Sequence, residues 1–343
     1  MQNRHEHSLL HSILISILML TPILSSANSF TDSIDKQFDI GEYLAENAYG
    51  FLPIPIILTE PATGFGGGML GLFLHESDAQ KNKRQKLAES KLGGGAHLLT
   101  PALSLIGAYG TNNGTWAVQA GHRRTWHRDH IRYTVNGKYG DTHMSFYPFI
   151  NSDTLPNDKL KLGNKEWKVN QLLQFRVLDS PLFIGFSQEY YHSQLTIEDN
   201  AAYWEEIALQ YNYDNYSPNL SALGLFIEYD TLNSYLYPTA GADYTLEYKF
   251  YRSGFGSDYT FDLLNLTTIN YFSPLENKNW IFGIKGQLAS VIDANQLLPP
   301  PTYPDINLRG IPKNHYQNQN TSSIEGQVMW KITNRWVVSV FGG

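Results

Sequence analysis

Period-two alternation of apolar and polar side chains constrains this chain more than any other feature. Tyr244, Leu246, Tyr248 and Phe250 alternate with Asp243, Thr245, Glu247 and Lys249. Ile324, Gly326, Val328, Trp330 and Ile332 alternate with Glu325, Gln327, Met329 and Lys331. Tyr133, Val135, Gly137 and Tyr139 alternate with Arg132, Thr134, Asn136 and Lys138, and Leu223, Leu225, Ile227 and Tyr229 cross Gly224, Phe226 and Glu228. Successive side chains of a strand point to opposite faces, so these segments predict a sheet with one dry face and one wet face.

A soluble β-sandwich has the same alternation. Three features favour an all-β transmembrane antiparallel barrel. The segments run about 10–14 residues, enough for a tilted spanning strand. Their ends carry rings suited to a bilayer interface: Trp116, Trp126, Phe146, Tyr147, Trp167, Tyr271, Phe272, Trp280 and Trp336. Tight connections (112–114, 128–129, 180–181, 334–335) mix with long ones (76–91, 148–164, 294–321), as short inner turns and long outer loops would. The predicted strands are 64–75, 93–110, 115–127, 130–146, 166–178, 181–197, 203–214, 219–231, 242–251, 258–273, 280–292, 322–333 and 336–343. With 203–214 the weakest, this gives about 12–13 strands.

Composition narrows the classes further. In 343 residues there is no cysteine, which excludes a disulfide scaffold and a cysteine zinc site. A net charge of −7 argues against nucleic acid as partner. Residues 9–24 are almost wholly apolar and are followed by Ser25, Ser26 and Ala27. This predicts a secretory signal peptide over 1–27; a membrane anchor helix is the alternative, although the run is short for one. Residues 28–50 read as a short periplasmic lead-in, and 51–343 as an outer-membrane barrel.

Two segments carry more than pattern. Residues 229–241 read YDTLNSYLYPTAG, and 308–320 read LRGIPKNHYQNQN. Together they resemble the BamA/TamA superfamily, also called the bacterial surface antigen family. That family has a turn between two strands, matched here by Asp230, Asn233, Tyr237, Pro238, Thr239 and Gly241. It also has an Arg-Gly motif on a long loop folded into the lumen, matched by Leu308, Arg309 and Gly310. Pro53, Pro55, Thr63 and the glycines 64–68 are similar to the family's entry into the first strand. Pro238 fixes φ and Gly241 accepts positive φ, as a tight turn requires. The resemblance implies that Arg309 reaches into the lumen, where its guanidinium needs an acidic or aromatic partner.

The match departs from the family in three places. Ile311 stands where the aromatic usually follows Arg-Gly. Phe341 is followed by Gly342 and Gly343, without the usual acid, so no acidic partner for Arg309 is identified. The family barrel has about 16 strands, so the resemblance implies further strands beyond Gly343. Client-handling members also carry POTRA domains ahead of the barrel, and residues 28–50 are too few for one.

The resemblance implies membrane-protein insertion, assembly or transport in the bacterial outer membrane, with no catalytic residue, metal or cofactor. Expected partners are outer-membrane lipid and lipopolysaccharide, and client outer-membrane proteins or a periplasmic partner. The alternatives are a passive channel tuned by Glu247, Lys249, Glu325 and Lys331, or a periplasmic or surface sandwich.

Other motifs have bland readings beside the sharp ones. Gly66-Gly67-Gly68-Met69-Leu70-Gly71 matches a dinucleotide fingerprint in form, but a strand and a Lys-rich loop follow it instead of a helix. His122, His127 and His130 sit among Arg123, Arg124, Arg128 and Arg132, which oppose a cation but suit lipid phosphate. His192 and Ser193 are strand neighbours and point apart, so they do not make a nucleophile–base pair. The run 81–91 reads as a solvated loop able to meet lipopolysaccharide phosphates.

Overall fold

The computed structural model describes residues 52–60, 63–75, 102–127, 129–146, 160–198, 217–233, 238–275, 279–294, 298, 302–311, 315–333 and 336–343. The expected signal peptide, the lead-in, the run 81–91 and the expected strand 203–214 lie outside them. The described residues belong to one compact unit, Gly50–Glu76 with Leu99–Gly343.

That unit is a single antiparallel sheet of 13 strands, each paired with its neighbours in sequence. The strands are β1 Leu52–Glu60, β2 Gly64–His75, β3 Ala102–Thr111, β4 Trp116–Trp126, β5 Ile131–Phe146, β6 Leu160–Arg176 and β7 Leu182–Ile197. They continue with β8 Asn219–Asp230, β9 Gly241–Tyr251, β10 Phe261–Phe272, β11 Trp280–Ile292, β12 Asn320–Lys331 and β13 Val337–Gly342. A 3-10 turn follows β9 at Ser253–Phe255. Among the described residues no helix is long and apolar enough to cross a membrane, which says nothing of crossing by strands.

The alternation sorts the side chains as the sequence predicts. One face presents Ile57, Phe65, Ile106, Val118, Phe186, Leu225, Ile284, Ile324 and Val340 to the surroundings, with Ile57 76% and Val340 70% exposed. The other face curls around a cavity of about 670 Å³ lined by residues from β1 to β12, among them Leu58, Tyr109, Lys138, Glu189, Lys249 and Ser323. A flat sheet cannot bring β1 and β12 to one cavity, so the sheet is rolled with its charges inside and its apolar face outside.

Rings mark the two limits of the outer face. Trp116 lies edge-on to Tyr139 at 5.6 Å, and Trp167 stacks on Tyr190 at 4.4 Å. At the other ends of the strands, Trp280 stacks on Trp330 at 5.5 Å and Tyr229 on Tyr244 at 6.0 Å. Trp116 and Trp126 open and close β4, an 11-residue strand. At about 3.4 Å per residue and a tilt of about 40°, they stand about 26 Å apart in height, the thickness of an outer-membrane apolar band.

The structure corrects four expectations. The first strand is β1, not 64–75. Pro53 and Pro55 hide it from a pattern search, yet β1 is paired only on its β2 side, where a strand tolerates proline. Strand β6 starts at Leu160, so the expected loop 148–164 is shorter by its last residues. Tyr271 faces inward, not toward the interface: its ring covers the inner side of Gly283, where an added Cβ would lie 2.7 Å from Tyr271 Cε1. Finally, the connection 76–101 does not lie with the other long connections, as the reading of 76–91 as an outer loop expects, because β3 and β4 return the chain to its side before 127–130. It joins β2 to β3 at the end that carries the short turns 127–130, 177–181 and 332–336, while 147–159, 198–218 and 293–319 lie at the opposite end.

Candidate functional site

The inner wall is held by buried ion pairs. Lys138 Nζ donates to Glu166 Oε1 at 2.6 Å. Glu189 accepts from Lys168 and Lys249, both at 3.0 Å, and from the Tyr251 hydroxyl at 2.9 Å. A carboxylate this buried is tolerable only because its lone pairs are filled. The expected lumen residues Glu247 and Lys249 pair with each other at 3.3 Å.

The connection between β11 and β12 folds into this lumen. Its two legs bond to each other: Ile306 N–H donates to Tyr316 O at 3.0 Å, and Asp305 bridges to Gln317. Leu298 and Tyr303 are buried in a cluster with Tyr191, Leu220, Tyr251, Tyr259 and Phe261. Tyr251 and Phe261 there stack at 4.2 Å. This anchors one side of the loop to the wall formed by β7 to β10.

Arg309 anchors the other side. Its Nε donates to Glu325 Oε1 at 3.0 Å, and its Nη2 to the same oxygen at 2.5 Å and to Gln327 Oε1 at 3.3 Å. Its backbone N–H reaches Glu325 Oε2 at 3.3 Å. The guanidinium carbon lies 4.0 Å from the centre of the Phe341 ring. Leu308 packs on Gly343, where a Cβ would come within 2.9 Å of Leu308 Cδ2. Leu308 O accepts from Ile311 N–H at 3.2 Å, closing a turn in which Gly310 has φ +88°. The motif glycine is thus set by backbone conformation, since nothing crowds it within 4 Å.

The expectation that Arg309 has no identified acidic partner is therefore corrected. The acid comes from β12 as Glu325, two strands of one hairpin supplying carboxylate and ring. Its inward position was legible in the alternation, but the path of the loop that brings Arg309 to it was not.

The second motif builds the turn between β8 and β9. Asn233 Nδ2 donates to Thr239 Oγ1 at 2.7 Å, while its Oδ1 accepts from the N–H groups of Thr239 and Ala240 at 2.9 and 3.1 Å. Pro238 precedes this bracket, and Tyr237 lies outside the described residues. Gly241 has φ +103°, and a Cβ there would sit 2.2 Å from Thr231 O.

Asp230 works in both directions from this turn. Its Oδ1 accepts from Leu232 N–H at 3.1 Å, and its Oδ2 from Arg132 Nη1 at 3.1 Å. Arg132 also pairs with Asp129 at 2.6 Å and Glu228 at 3.2 Å. Arg132 and Arg176 both lie against the ring of Phe183, at 3.8 and 4.2 Å. Burial pushes the Asp129 carboxyl up, but hydrogen bonds and charge from Arg132 and Arg176 outweigh it and hold it below the ordinary 3.8.

The turn motif stands at one end of the strands, whereas Arg309 meets β12 at mid-strand, so the two do not share one site. Other candidates disperse too. The glycines 66–68 lie within β2. His122 bonds Ser104, whereas His130 bonds His127 O and Asp179. Ser193 is buried inward on Asn164 Oδ1 at 2.7 Å, and His192 on the other face meets Asn219 Oδ1 at 3.0 Å.

No protein-family profile matches the sequence, and no curated protein does. Solved structures do. CdiB from Escherichia coli aligns with a TM-score of 0.52 at 9% identity, over 82% of this chain and 48% of that one. The likeness is one of fold: a rolled antiparallel sheet of sequential strands. BamA from Haemophilus ducreyi lacking POTRA domains 1–3 aligns with a TM-score of 0.49 at 13% identity, over 81% of this chain and 51% of that one. The chain spans about half the length of these two structures. Within this rolled wall, the loop carrying Arg309 is fastened on one side to β7 to β10 and on the other to β12.

Proposed function

We propose that this chain forms an outer-membrane β-barrel that works in the insertion, assembly or transport of membrane proteins, with outer-membrane lipid and lipopolysaccharide around it. Client outer-membrane proteins or a periplasmic partner would be its working contacts. The observation that carries this reading is Arg309, held in the lumen by Glu325 and Gln327 and laid over Phe341. A loop fastened across the lumen at two places suits a barrel whose wall, not whose pore, does the work.

The passive channel remains the second reading, because the cavity is lined by Lys138, Glu166, Lys168, Glu189 and Lys249. Two measurements separate the readings. Vesicles containing the chain are offered an unfolded outer-membrane protein, and protease-protected product is counted. The proposal expects faster appearance than with empty vesicles, and equal rates overturn it. In a planar bilayer it expects small erratic openings, whereas large steady conductance supports the channel.

A further inference from the structure

The outer face of β4 changes character along its length. Trp116, Val118 and Ala120 are followed by His122, Arg124 and Trp126 on the same face. The last polar pair, with Arg124 charged, lies on the outer face and inside the limit set by Trp126.

Neighbouring strands complete a patch. Ser104 Oγ on β3 is 2.8 Å from His122 Nδ1 and 2.8 Å from His75 Nε2 on β2. The two imidazoles meet edge-on, with centroids 5.7 Å apart. Each ring has one nitrogen engaged by the serine and one left outside that contact. Arg124 lies with its guanidinium carbon 5.5 Å from the Trp126 ring and pairs with no carboxylate among the described residues.

The charge of this patch is one-sided. Outward positions of β2, β3 and β4 carry no Asp or Glu, and neither does β5 between Ile131 and Tyr139. The Tyr133 hydroxyl, beside Arg124 on β5, is already turned to Gln171. An arginine on the lipid side is costly at the midplane and tolerated near the interface. Arg124 is two residues from Trp126 and reaches the headgroup level. There the neutralising partner is phosphate, which a guanidinium fork and ring N–H groups bind by charge-assisted hydrogen bonds.

We propose that His75, Ser104, His122 and Arg124, edged by Trp126, form a binding site for the phosphate of an anionic membrane phospholipid. The inference rests on the outer-membrane barrel reading above. It adds the leaflet: the patch lies at the end with the turns 127–130, 177–181 and 332–336, the end that faces the periplasm in outer-membrane barrels. The ligand is therefore a glycerophospholipid rather than lipopolysaccharide.

The test uses the full chain in detergent, titrated with phosphatidylglycerol or phosphatidylcholine and read by native mass spectrometry. Phosphatidylglycerol should bind about five- to tenfold more tightly, and Arg124→Gln or His122→Gln should abolish the difference. Lys165→Gln, on the outer face of β6 near the opposite end, should keep it. Equal binding of the two lipids, or unchanged preference in both patch variants, overturns the site. Full competition by inorganic phosphate at millimolar concentration overturns a lipid ligand in favour of a free anion. Alkaline carbonate extraction from vesicles is run in parallel. Release of the chain overturns the barrel reading itself, while retention with equal lipid binding overturns only the patch.

Discussion

Asn233 and Thr239 hold each other at both ends of one amide: Asn233 Nδ2 donates to Thr239 Oγ1, and Thr239 N–H donates back to Asn233 Oδ1. A third bond, from Ala240 N–H, uses the same oxygen. Asn233→Ala deletes all three in an exposed turn and should destabilise the barrel by about 1–2 kcal/mol. Asn233→Asp keeps the acceptor and should recover most of it. The temperature at which the unboiled gel band disappears gives the comparison, and equal temperatures for Ala and wild type would contradict the bracket.

Gly241 and Gly310 both have positive φ, but only Gly241 is crowded, with Thr231 O 2.2 Å from an added Cβ. Gly241→Ala should therefore cost about 2–4 kcal/mol, from strain plus displacement of the Thr231 carbonyl. Gly310→Ala should cost about 1 kcal/mol, from backbone conformation alone. Measuring both by urea titration in detergent checks the order, which a reversed ranking would refute.

The wall was more legible than its contents. The wet and dry faces could be read from Tyr244 to Phe250 and from Ile324 to Ile332, because a rolled sheet in lipid enforces alternation strand by strand. β1 could not, since Pro53 and Pro55 break the pattern and only the one-sided pairing excuses them. The turn motif was legible because its contacts are local. Glu325 was seen as an inward charge but not as Arg309's partner, since that contact depends on how a long loop threads the lumen. The cluster of Arg132, Arg176 and Phe183 left no sequence signal, because β5, β6 and β7 meet there by register.

Arg309→Ala leaves Glu325 buried beside the lumen without its cation. The expected loss is about 1–3 kcal/mol, toward the lower end because Arg309 is 43% exposed. Arg309→Lys restores charge but not the fork or the stacking on Phe341, and should recover only part. Single-channel recording should show longer openings in the Ala variant than in wild type; identical traces would mean that the loop does not depend on this contact.

Asp129 makes stability depend on acid. Its folded carboxyl is held below its unfolded value of about 3.9, so its contribution is complete above that value and is lost as pH falls through the folded one. Asp129→Asn should be less stable than wild type at pH 7, and the gap should close as the pH drops below about 4. A gap that does not change with pH would assign the effect to packing.

The two anchors of the lumen loop differ in a way that sets the order of folding. Arg309 and Glu325 are separated by 16 residues, whereas Tyr303 docks beside Tyr191, more than a hundred residues earlier. Short loops close at lower entropic cost and sooner. The β12–β13 hairpin thus captures the loop first, and the far wall receives it only when β7 to β10 have come round, so that this hairpin carries the stopper into place as the sheet rolls up.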